Sequence, residues 1–316
     1  MTARRGARLL VAALALTLVA SCSGGEGGDE AEPTRPTDGS GSSLTPNPAR
    51  AEQDQVRYTD GQTCHQRKGR SEVLACEFGD RDGGVHVVLA GDSKTEQWVD
   101  AFDAIGEQRG WRITSITKSA CAFTAARLGS RDDEVNRSCE EWNTNARRAI
   151  EALAPDAVFT ELYKLRVPKA GRDIDGDEQH ELMVEGLQDA YGELAARGIG
   201  TILLDAGPRS DEDVPACVLE HGDDTDECDI TEDEYDDPQL RFPTASAEQV
   251  VDEVGRARLV TINDVVCGDD GPPCPVVSDG TLRFRDSHHF TRTYTLQLAE
   301  PLGERVATAL TELAAG

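Results

Sequence analysis

The chain has 316 residues and a formal net charge of -27 at pH 7, from 59 acidic and 32 basic residues. This excess of negative charge argues against nucleic acid, or an anionic membrane surface, as a binding partner. Residues 56–316 are long enough to form one sizeable α/β domain with its own hydrophobic core.

The N-terminal residues have the pattern of an export signal. Arg4, Arg5 and Arg8 precede an apolar run over residues 9–20 that is too short to span a bilayer, and small residues lead into Cys22. The pattern predicts a lipobox within residues 1–22, with Cys22 lipidated. The mature chain would then be held by lipid alone at the extracytoplasmic face of a bacterial membrane. The alternative is ordinary secretion with Cys22 removed.

Residues 23–55 are rich in Gly, Ser, Pro, Thr and acidic side chains and offer few groups to bury. We therefore predict a disordered linker here, followed by one folded domain over residues 56–316.

The eight cysteines after Cys22 favour an oxidising compartment. Neighbours in chain order predict four local disulfides: Cys64 with Cys76, Cys121 with Cys139, Cys217 with Cys228, and Cys267 with Cys274. Other connectivities remain open at this stage, because spacing alone does not fix the pairing. A zinc site is the rival interpretation, but no pair has the two-residue spacing of a zinc knuckle, so no metal is predicted.

The first predicted unit is a strand followed by a helix. Residues 85–90 form a nearly continuous apolar run, which is typical of a strand buried on both faces of a parallel sheet. Apolar residues then recur at spacings of four and three and predict a helix over residues 96–108. Ser93 therefore lies at a strand-to-helix turn.

The unit then repeats along the chain. The next predicted elements are a strand over 111–117, a helix over 138–153 opened by a capping box of Ser138 and Glu141, a strand over 157–162, a helix over 181–197, a strand over 199–205, a short helix capped by Ser246 and Gln249, a strand over 259–266, and a final helix from Thr291 with a break at Pro301. The alternation predicts a mainly parallel five-stranded sheet covered on both faces. In such sheets ligands bind beyond the carboxyl ends of the strands.

Ser93, Asp286 and His289 are the candidate catalytic residues. A serine hydroxyl becomes a good nucleophile when a base takes its proton and a carboxylate orients that base. Asp286 and His289 lie in one loop before the last helix, and their D-x-x-H spacing lets both face Ser93. His288 is the alternative base, but it does not complete this spacing.

A series of short motifs accompanies these residues. In chain order they are Gly91-Asp92-Ser93, Gln97-Trp98, Gly110-Trp111, residues 117–121, Trp142-Asn143, residues 213–217, Cys274-Pro275 and residues 285–291. With this series the chain resembles, from about Cys64 to the C-terminus, the SGNH domain found behind membrane acyltransferase-3 domains.

The resemblance implies a flavodoxin-like three-layer α/β/α sandwich. It also implies roles for single residues: Ser93 as nucleophile, His289 as general base and Asp286 as its orienting carboxylate. The backbone N–H groups of Ser93 and Ala120 are the implied oxyanion donors. A serine mechanism of this kind needs no cofactor.

Two positions depart from the family pattern. Lys94 follows the serine where the family usually has His, and Glu161 stands near the place where SGNH enzymes supply an Asn side chain to the oxyanion hole. An ionised Glu161 cannot donate a hydrogen bond. Loss of one oxyanion donor typically costs ~2.7 to 4 kcal/mol of transition-state stabilisation, so the departure implies weak activity.

The implied function is a serine esterase or O-acyl (acetyl) transferase acting on an acylated surface glycan or peptidoglycan in the bacterial cell envelope. The relatives are usually fused to a membrane acyltransferase domain that this sequence lacks, so a separate membrane acyltransferase is an expected partner if the chain transfers acyl groups. The alternative is a catalytically silent glycan-binding or scaffold lipoprotein, which Lys94 and the incomplete oxyanion hole favour. Lipase or thioesterase action is a third interpretation, but the sequence has no long apolar lid segment.

Overall fold

Parallel strands form the centre of the fold. The computed structural model describes residues 44–58, 63–127, 132–162 and 176–316, so Cys22, the predicted signal peptide and the linker as far as residue 43 lie outside the described residues. The strands of the main sheet are β1 (His65–Gln66), β2 (Cys76–Gly79), β3 (Val85–Gly91), β4 (Trp111–Lys118), β5 (Ala157–Glu161), β6 (Gly200–Leu204) and β7 (Ala257–Val260). A separate antiparallel hairpin consists of β8 (Val277–Ser278) and β9 (Thr281–Leu282).

The order of the sheet matches the flavodoxin-like arrangement. Strands run β1-β4-β3-β5-β6-β7, all parallel, and β2 pairs antiparallel with β4. From β3 the chain moves to one side to form β4 and then to the other side to form β5, which creates a switch point between β3 and β5. The predicted α/β fold is confirmed, and the two short strands β1 and β2 extend the five predicted strands at the edge of β4.

Helices cover both faces of the sheet. They are α1 (Ser93–Glu96), α2 (Val99–Arg109), α3 (Asp133–Leu153), α4 (Gly176–Ala195), α5 (Val214–His221), α6 (Glu232–Asp236), α7 (Thr244–Glu253), α8 (Asn263–Cys267), α9 (Arg292–Gln297) and α10 (Ala299–Ala315). Because side chains alternate along a strand, Val87 and Leu89 pack with α2, α9 and α10, whereas Val88 and Ala90 pack with α3, α4 and α7. The sheet thus lies between two apolar cores. None of the helices in the described ranges is long and apolar enough to cross a membrane.

The predicted start of α3 at Ser138 was wrong. Asp132 is the cap, because its side chain accepts hydrogen bonds from the N–H groups of Glu134 and Val135. Ser138 lies inside the helix, where its hydroxyl donates to the Val135 carbonyl. In the same way, α7 begins at Thr244, so Ser246 is a first-turn residue rather than the cap.

Two further boundaries differ from the prediction. The strand predicted over 259–266 ends at Val260, and its second half forms α8, whose Val266 is buried. A short apolar run fits a buried strand or a buried helix equally well, so periodicity could not separate them. The break predicted at Pro301 lies three residues earlier, at Leu298, where α9 ends and α10 begins; Pro301 is in the first turn of α10, and it has no N–H to bond the carbonyl of Gln297 and continue α9.

Residues 44–58, here called the N-terminal segment, are ordered, although the linker was predicted to reach residue 55. The segment contains a 3-10 helix, Pro48–Gln53, and Ala51 in it is buried in the core. Asp54 accepts hydrogen bonds from the N–H groups of Arg292 and Thr293, at 2.8 and 2.9 Å. Composition predicts disorder here because few of these residues are apolar. Hydrogen bonds to backbone N–H groups of the domain hold the segment in place instead.

The described part of the chain contains four disulfides, with the pairing predicted from chain order. They join Cys64 to Cys76, Cys121 to Cys139, Cys217 to Cys228, and Cys267 to Cys274. These eight cysteines therefore offer no thiolate to a metal, which removes the zinc interpretation for them.

Candidate active site

The turn between β3 and α1 presents Ser93 at the switch point of the sheet. Asp92 caps α1, since its side chain accepts the N–H of Lys94 at 2.9 Å. Gly91 ends the strand where a side chain would not fit, because a Cβ atom there would lie 2.2 Å from the hydroxyl oxygen of Thr95. Burial raises the pKa of Asp92 to about 6, although the Lys94 N–H opposes this rise. The turn is thus fixed by its own residues and leaves Ser93 half-buried.

The loop before α9 brings the other two candidates to this turn. Nε2 of His289 lies 2.9 Å from Oγ of Ser93, and Nδ1 of His289 lies 2.7 Å from Oδ2 of Asp286. The second oxygen of Asp286 accepts the backbone N–H groups of His288 and His289, at 2.8 and 2.7 Å. The D-x-x-H spacing therefore places a carboxylate, an imidazole and a hydroxyl in one line of hydrogen bonds.

The protonation states of Asp286 and His289 suit a base that accepts a proton from Ser93. Burial would raise the pKa of Asp286, but the hydrogen bonds and positive charge of His289 outweigh it and hold that pKa well below its usual range. Burial lowers the pKa of His289, although the Asp286 carboxylate opposes the shift. At neutral pH Asp286 is ionised and His289 is neutral, which is the state in which an imidazole can take a proton from serine.

His288, the alternative base, faces elsewhere. Its Nδ1 atom lies 2.9 Å from the hydroxyl oxygen of Ser287, and its ring packs on His289 with centroids 4.1 Å apart. Burial and the positive charge of His289 lower the pKa of His288 to about 3. The geometry thus joins Ser93 to His289 rather than to His288.

The two oxyanion candidates lie at the same edge of the sheet. Ser93 is the first residue of α1, where a backbone N–H has no intrahelical acceptor. Ala120 follows β4, whose Thr117 pairs with Gly91, and its N–H donates no hydrogen bond within the described residues. Ala120 is exposed and has a φ of 51°, in the left-handed region that favours glycine.

The family model described as the SGNH domain fused to AT3 domains matches residues 63–303. The chain belongs to this SGNH family. No curated protein matched the sequence.

Several solved structures are similar to this chain. The periplasmic domain of a lipopolysaccharide acetyltransferase from Salmonella Paratyphi A is 15% identical, with a TM-score of 0.55 over 78% of this chain and 92% of that chain. A mutant acetyl-xylooligosaccharide esterase from Geobacillus is 11% identical, with a TM-score of 0.39 over 72% of this chain and 96% of that chain. A GDSL-like lipase from Bacteroides thetaiotaomicron is 14% identical, with a TM-score of 0.36 over 72% and 88%. At these identities the first structure establishes a common fold and no more.

The two residues that depart from the SGNH pattern contact each other. Nζ of Lys94 lies 3.0 Å from Oε1 of Glu161, and both side chains are almost fully buried. Glu161 ends β5, on the other side of the switch point from Ser93. The sequence does not connect these two departures, because they are 67 positions apart in the chain and nothing in either motif indicates a contact.

A polar group beside the nucleophile turn was also missed. Nδ1 of His65 lies 2.9 Å from Oγ1 of Thr117 and 3.4 Å from Oε2 of Glu96, whose other oxygen accepts the hydroxyl of Tyr58 at 2.7 Å. Burial, with the nearby charge of Lys118, lowers the pKa of His65 to about 4. The sequence gives no sign of this role, because an isolated His beside Cys64 has no partner pattern.

Two groups in the described residues have the composition of metal ligands. In the first, Cys217 and Cys228 flank His221, but the two sulfurs are joined in a disulfide. The second consists of Asp286, His288 and His289, whose ligand atoms already bond to one another or to Ser93 and Ser287. A cation there would have to displace these hydrogen bonds.

Proposed function

We propose that this chain is an extracytoplasmic serine esterase or O-acyltransferase that acts on acylated carbohydrate of the bacterial cell envelope. The observation that carries the proposal is the continuous line of hydrogen bonds from Ser93 through His289 to Asp286, at 2.9 and 2.7 Å. A serine, a neutral imidazole and an ionised carboxylate in this order form the arrangement used by serine hydrolases.

The chemistry follows from the three side chains. Oγ of Ser93 attacks the carbonyl carbon of an acyl ester while Nε2 of His289 takes the hydroxyl proton, and Asp286 stabilises the imidazolium that forms. The N–H groups of Ser93 and Ala120 face the negative charge on the carbonyl oxygen. His289 then gives its proton to the departing sugar hydroxyl, which leaves an acyl-serine.

The second half of the reaction decides between hydrolysis and transfer. His289 removes a proton from water, or from the hydroxyl of a second sugar, and the resulting oxygen nucleophile attacks the acyl-serine carbonyl. The bond from the acyl carbon to Oγ of Ser93 then breaks, and His289 returns its proton to that oxygen. Water yields a free carboxylic acid, whereas a sugar yields a new ester. The half-exposed Ser93 is open to either acceptor.

Three observations support an acylated envelope carbohydrate as the substrate class. The SGNH family model is defined on domains fused to acyltransferase-3 domains, and a structural neighbour is named as a lipopolysaccharide acetyltransferase domain. The four disulfides favour an oxidising compartment. The N-terminal sequence, with its predicted lipidation at Cys22, is consistent with attachment to the outer face of a membrane.

A catalytically silent glycan-binding or scaffold lipoprotein is the second candidate. It is favoured by Glu161, which lies in the sequence near the position where SGNH enzymes carry an amide donor and whose carboxylate is buried. Two backbone donors without that amide leave the oxyanion less stabilised, by ~2.7 to 4 kcal/mol if one donor is lost.

The proposal is tested by covalent labelling of the full-length chain with its disulfides formed. Incubation with a fluorophosphonate probe is followed by intact-mass measurement of wild type, Ser93→Ala, His289→Ala and Ser287→Ala. We expect one adduct on wild type and on Ser287→Ala, the matched control, and none on the other two. Ser93→Ala should also lower acetate release from O-acetylated peptidoglycan or surface polysaccharide by at least about a thousandfold.

Wild type that stays unlabelled while folded, and releases no acetate, would overturn the enzyme proposal in favour of the silent binding protein. Labelling without acetate release would keep the activated serine and reject acetate esters as the substrate. Addition of a sugar acceptor to the active protein separates hydrolysis from transfer, since a transferase moves the acetyl group to the acceptor instead of releasing it.

A further inference from the structure

A buried ammonium group joins the two halves of the candidate active site. Nζ of Lys94 donates a 2.8 Å hydrogen bond to the backbone carbonyl of His288 and lies 3.0 Å from Oε1 of Glu161. In sequence, Lys94 directly follows Ser93, and His288 directly precedes His289. One side chain therefore ties the residue after the serine to the residue before the imidazole.

Gln97 makes a matching connection on the other side of His289. Its Oε1 atom accepts the N–H of Phe290 at 2.9 Å, and its Nε2 atom donates to Oε2 of Glu161 at 2.8 Å. Gln97 lies directly after α1, and Phe290 directly follows His289. The backbone is thus held immediately before and immediately after the imidazole.

Glu161 is the common partner of these two connections. Its side chain is fully buried, and besides Lys94 and Gln97 it accepts the indole N–H of Trp98 at 2.6 Å. A buried carboxylate requires an opposite charge and hydrogen-bond donors to offset its desolvation, and these three side chains supply both. The end of β5 therefore acts as a fixed point for the turn that carries Ser93.

We propose that Lys94, Gln97 and Glu161 form a positioning network that holds His289 opposite Ser93. The proposal rests on the proposed function, because it gives these residues a role in the same reaction. Lys94 and Glu161 are too deeply buried to touch a substrate, so they act through His289 and are not catalytic residues. Loss of about 1 Å of alignment between reacting groups can cost about a hundredfold in rate, which gives such a network a measurable effect.

The test compares Lys94→Met, Glu161→Gln and the double variant in the full-length chain, with acetate release as the assay. We expect each single change to lower kcat by about a hundredfold and to change KM by less than about twofold. Each also leaves a charge buried without its partner and lowers the melting temperature. In the double variant no unpaired charge remains, so the melting temperature rises again, but kcat stays low because the His288 carbonyl has lost its donor.

The matched control is another buried ion pair. Asp205 directly follows β6, and Arg241 lies between α6 and α7; their charged atoms are 3.2 Å apart and both side chains are nearly buried. Among the described residues, neither forms a hydrogen bond or ion pair with Ser93, Asp286 or His289. The double variant Arg241→Met with Asp205→Asn should change the melting temperature and leave kcat within about twofold. A double Lys94→Met and Glu161→Gln variant that recovers kcat along with its stability would overturn the proposal, because the pair would then be structural only.

A second measurement keeps this proposal separable from the proposed function. The imidazole ¹⁵N signals of His289 report which ring nitrogen carries the proton, whether or not the chain turns over. Wild type should show one tautomer, with Nδ1 protonated toward Asp286, and Lys94→Met should show an average of two. Inactive wild type with this difference would reject the enzyme and retain the network; unchanged signals in Lys94→Met would reject the network.

Discussion

His289 can accept the proton of Ser93 while its own ring is neutral. Three neighbours set its charge: the Asp286 carboxylate favours the protonated ring, whereas Arg285 and Lys94 disfavour it. Burial has the largest influence and also disfavours the charged ring. Together they lower the pKa of His289, so the base remains neutral at pH values where an exposed imidazole would already be protonated.

The rate of fluorophosphonate labelling should therefore fall only in distinctly acidic solution. Protonation of His289 abolishes the base, and this occurs below its lowered pKa, so we expect the acidic limb of the profile below pH 6.5, the ordinary histidine value. The measurement is the second-order labelling rate from pH 4 to 8, with Ser287→Ala as control. A midpoint at or above 6.5 would contradict the lowered pKa.

The three candidate catalytic residues could be selected from the sequence because their signals are local. A G-D-S turn after an apolar strand and a D-x-x-H loop before the last helix identified Ser93, Asp286 and His289. The network that holds them could not be found in this way. In the sequence, Lys94 and Glu161 are two separate departures from the SGNH pattern. Their charges come together only because β3 and β5 are neighbours in the sheet.

Helix boundaries were harder to predict than helix existence. The D-D-E sequence at residues 132–134 offers caps as good as Ser138, and tertiary packing selects Asp132. Likewise, Val266 of α8 lies in the core, and a short apolar run of this kind fits a buried strand as well as a buried helix. Local patterns thus gave the type of most elements, while their ends depended on contacts with distant residues.

The disulfide between Cys121 and Cys139 links the segment after β4 to α3 and lies directly beside Ala120. Replacing both cysteines by Ala should lower the free energy of unfolding by about 3 kcal/mol, because the unfolded chain regains the freedom of the open loop. We also expect slower fluorophosphonate labelling, since Ala120 would no longer be held at the edge of the site. Urea titration and labelling of the folded variant measure the two effects.

Removal of the Cys217–Cys228 disulfide is the matched control, because it closes a loop of comparable length between α5 and the 3-10 helix Thr225–Cys228. It should cost about 3 kcal/mol as well. Labelling should proceed at the wild-type rate. Equal slowing in both double variants would show that labelling reports stability rather than the placement of Ala120.

The mainly parallel sheet followed from the alternation of strands and helices, but the extent of the folded unit did not. The N-terminal segment contacts the chain on both sides of the loop that carries His289. Thr45 exchanges backbone hydrogen bonds with Gly280 and Leu282, and Asp54 accepts those of Arg292 and Thr293. Composition indicates how much apolar surface a segment can bury. It does not indicate whether backbone groups far away in the sequence are available to form hydrogen bonds with it.

Two truncated chains measure the contribution of this segment. A chain that starts at residue 59 should have a free energy of unfolding at least about 2 kcal/mol below that of a chain that starts at residue 42, because at least six hydrogen bonds to the rest of the domain and the burial of Ala51 are lost. Urea titration of both gives the difference. Equal free energies of unfolding would mean that the segment packs on the domain without stabilising it.

The pairing of the cysteines has a consequence for how such a chain matures. The partners are 12, 18, 11 and 7 positions apart, and every bond closes before the next pair begins. A chain that is oxidised in the order in which it emerges from a translocation pore thus meets each correct partner first. We therefore expect its disulfides to form with a thiol oxidase alone, without an enzyme that reshuffles wrong pairs.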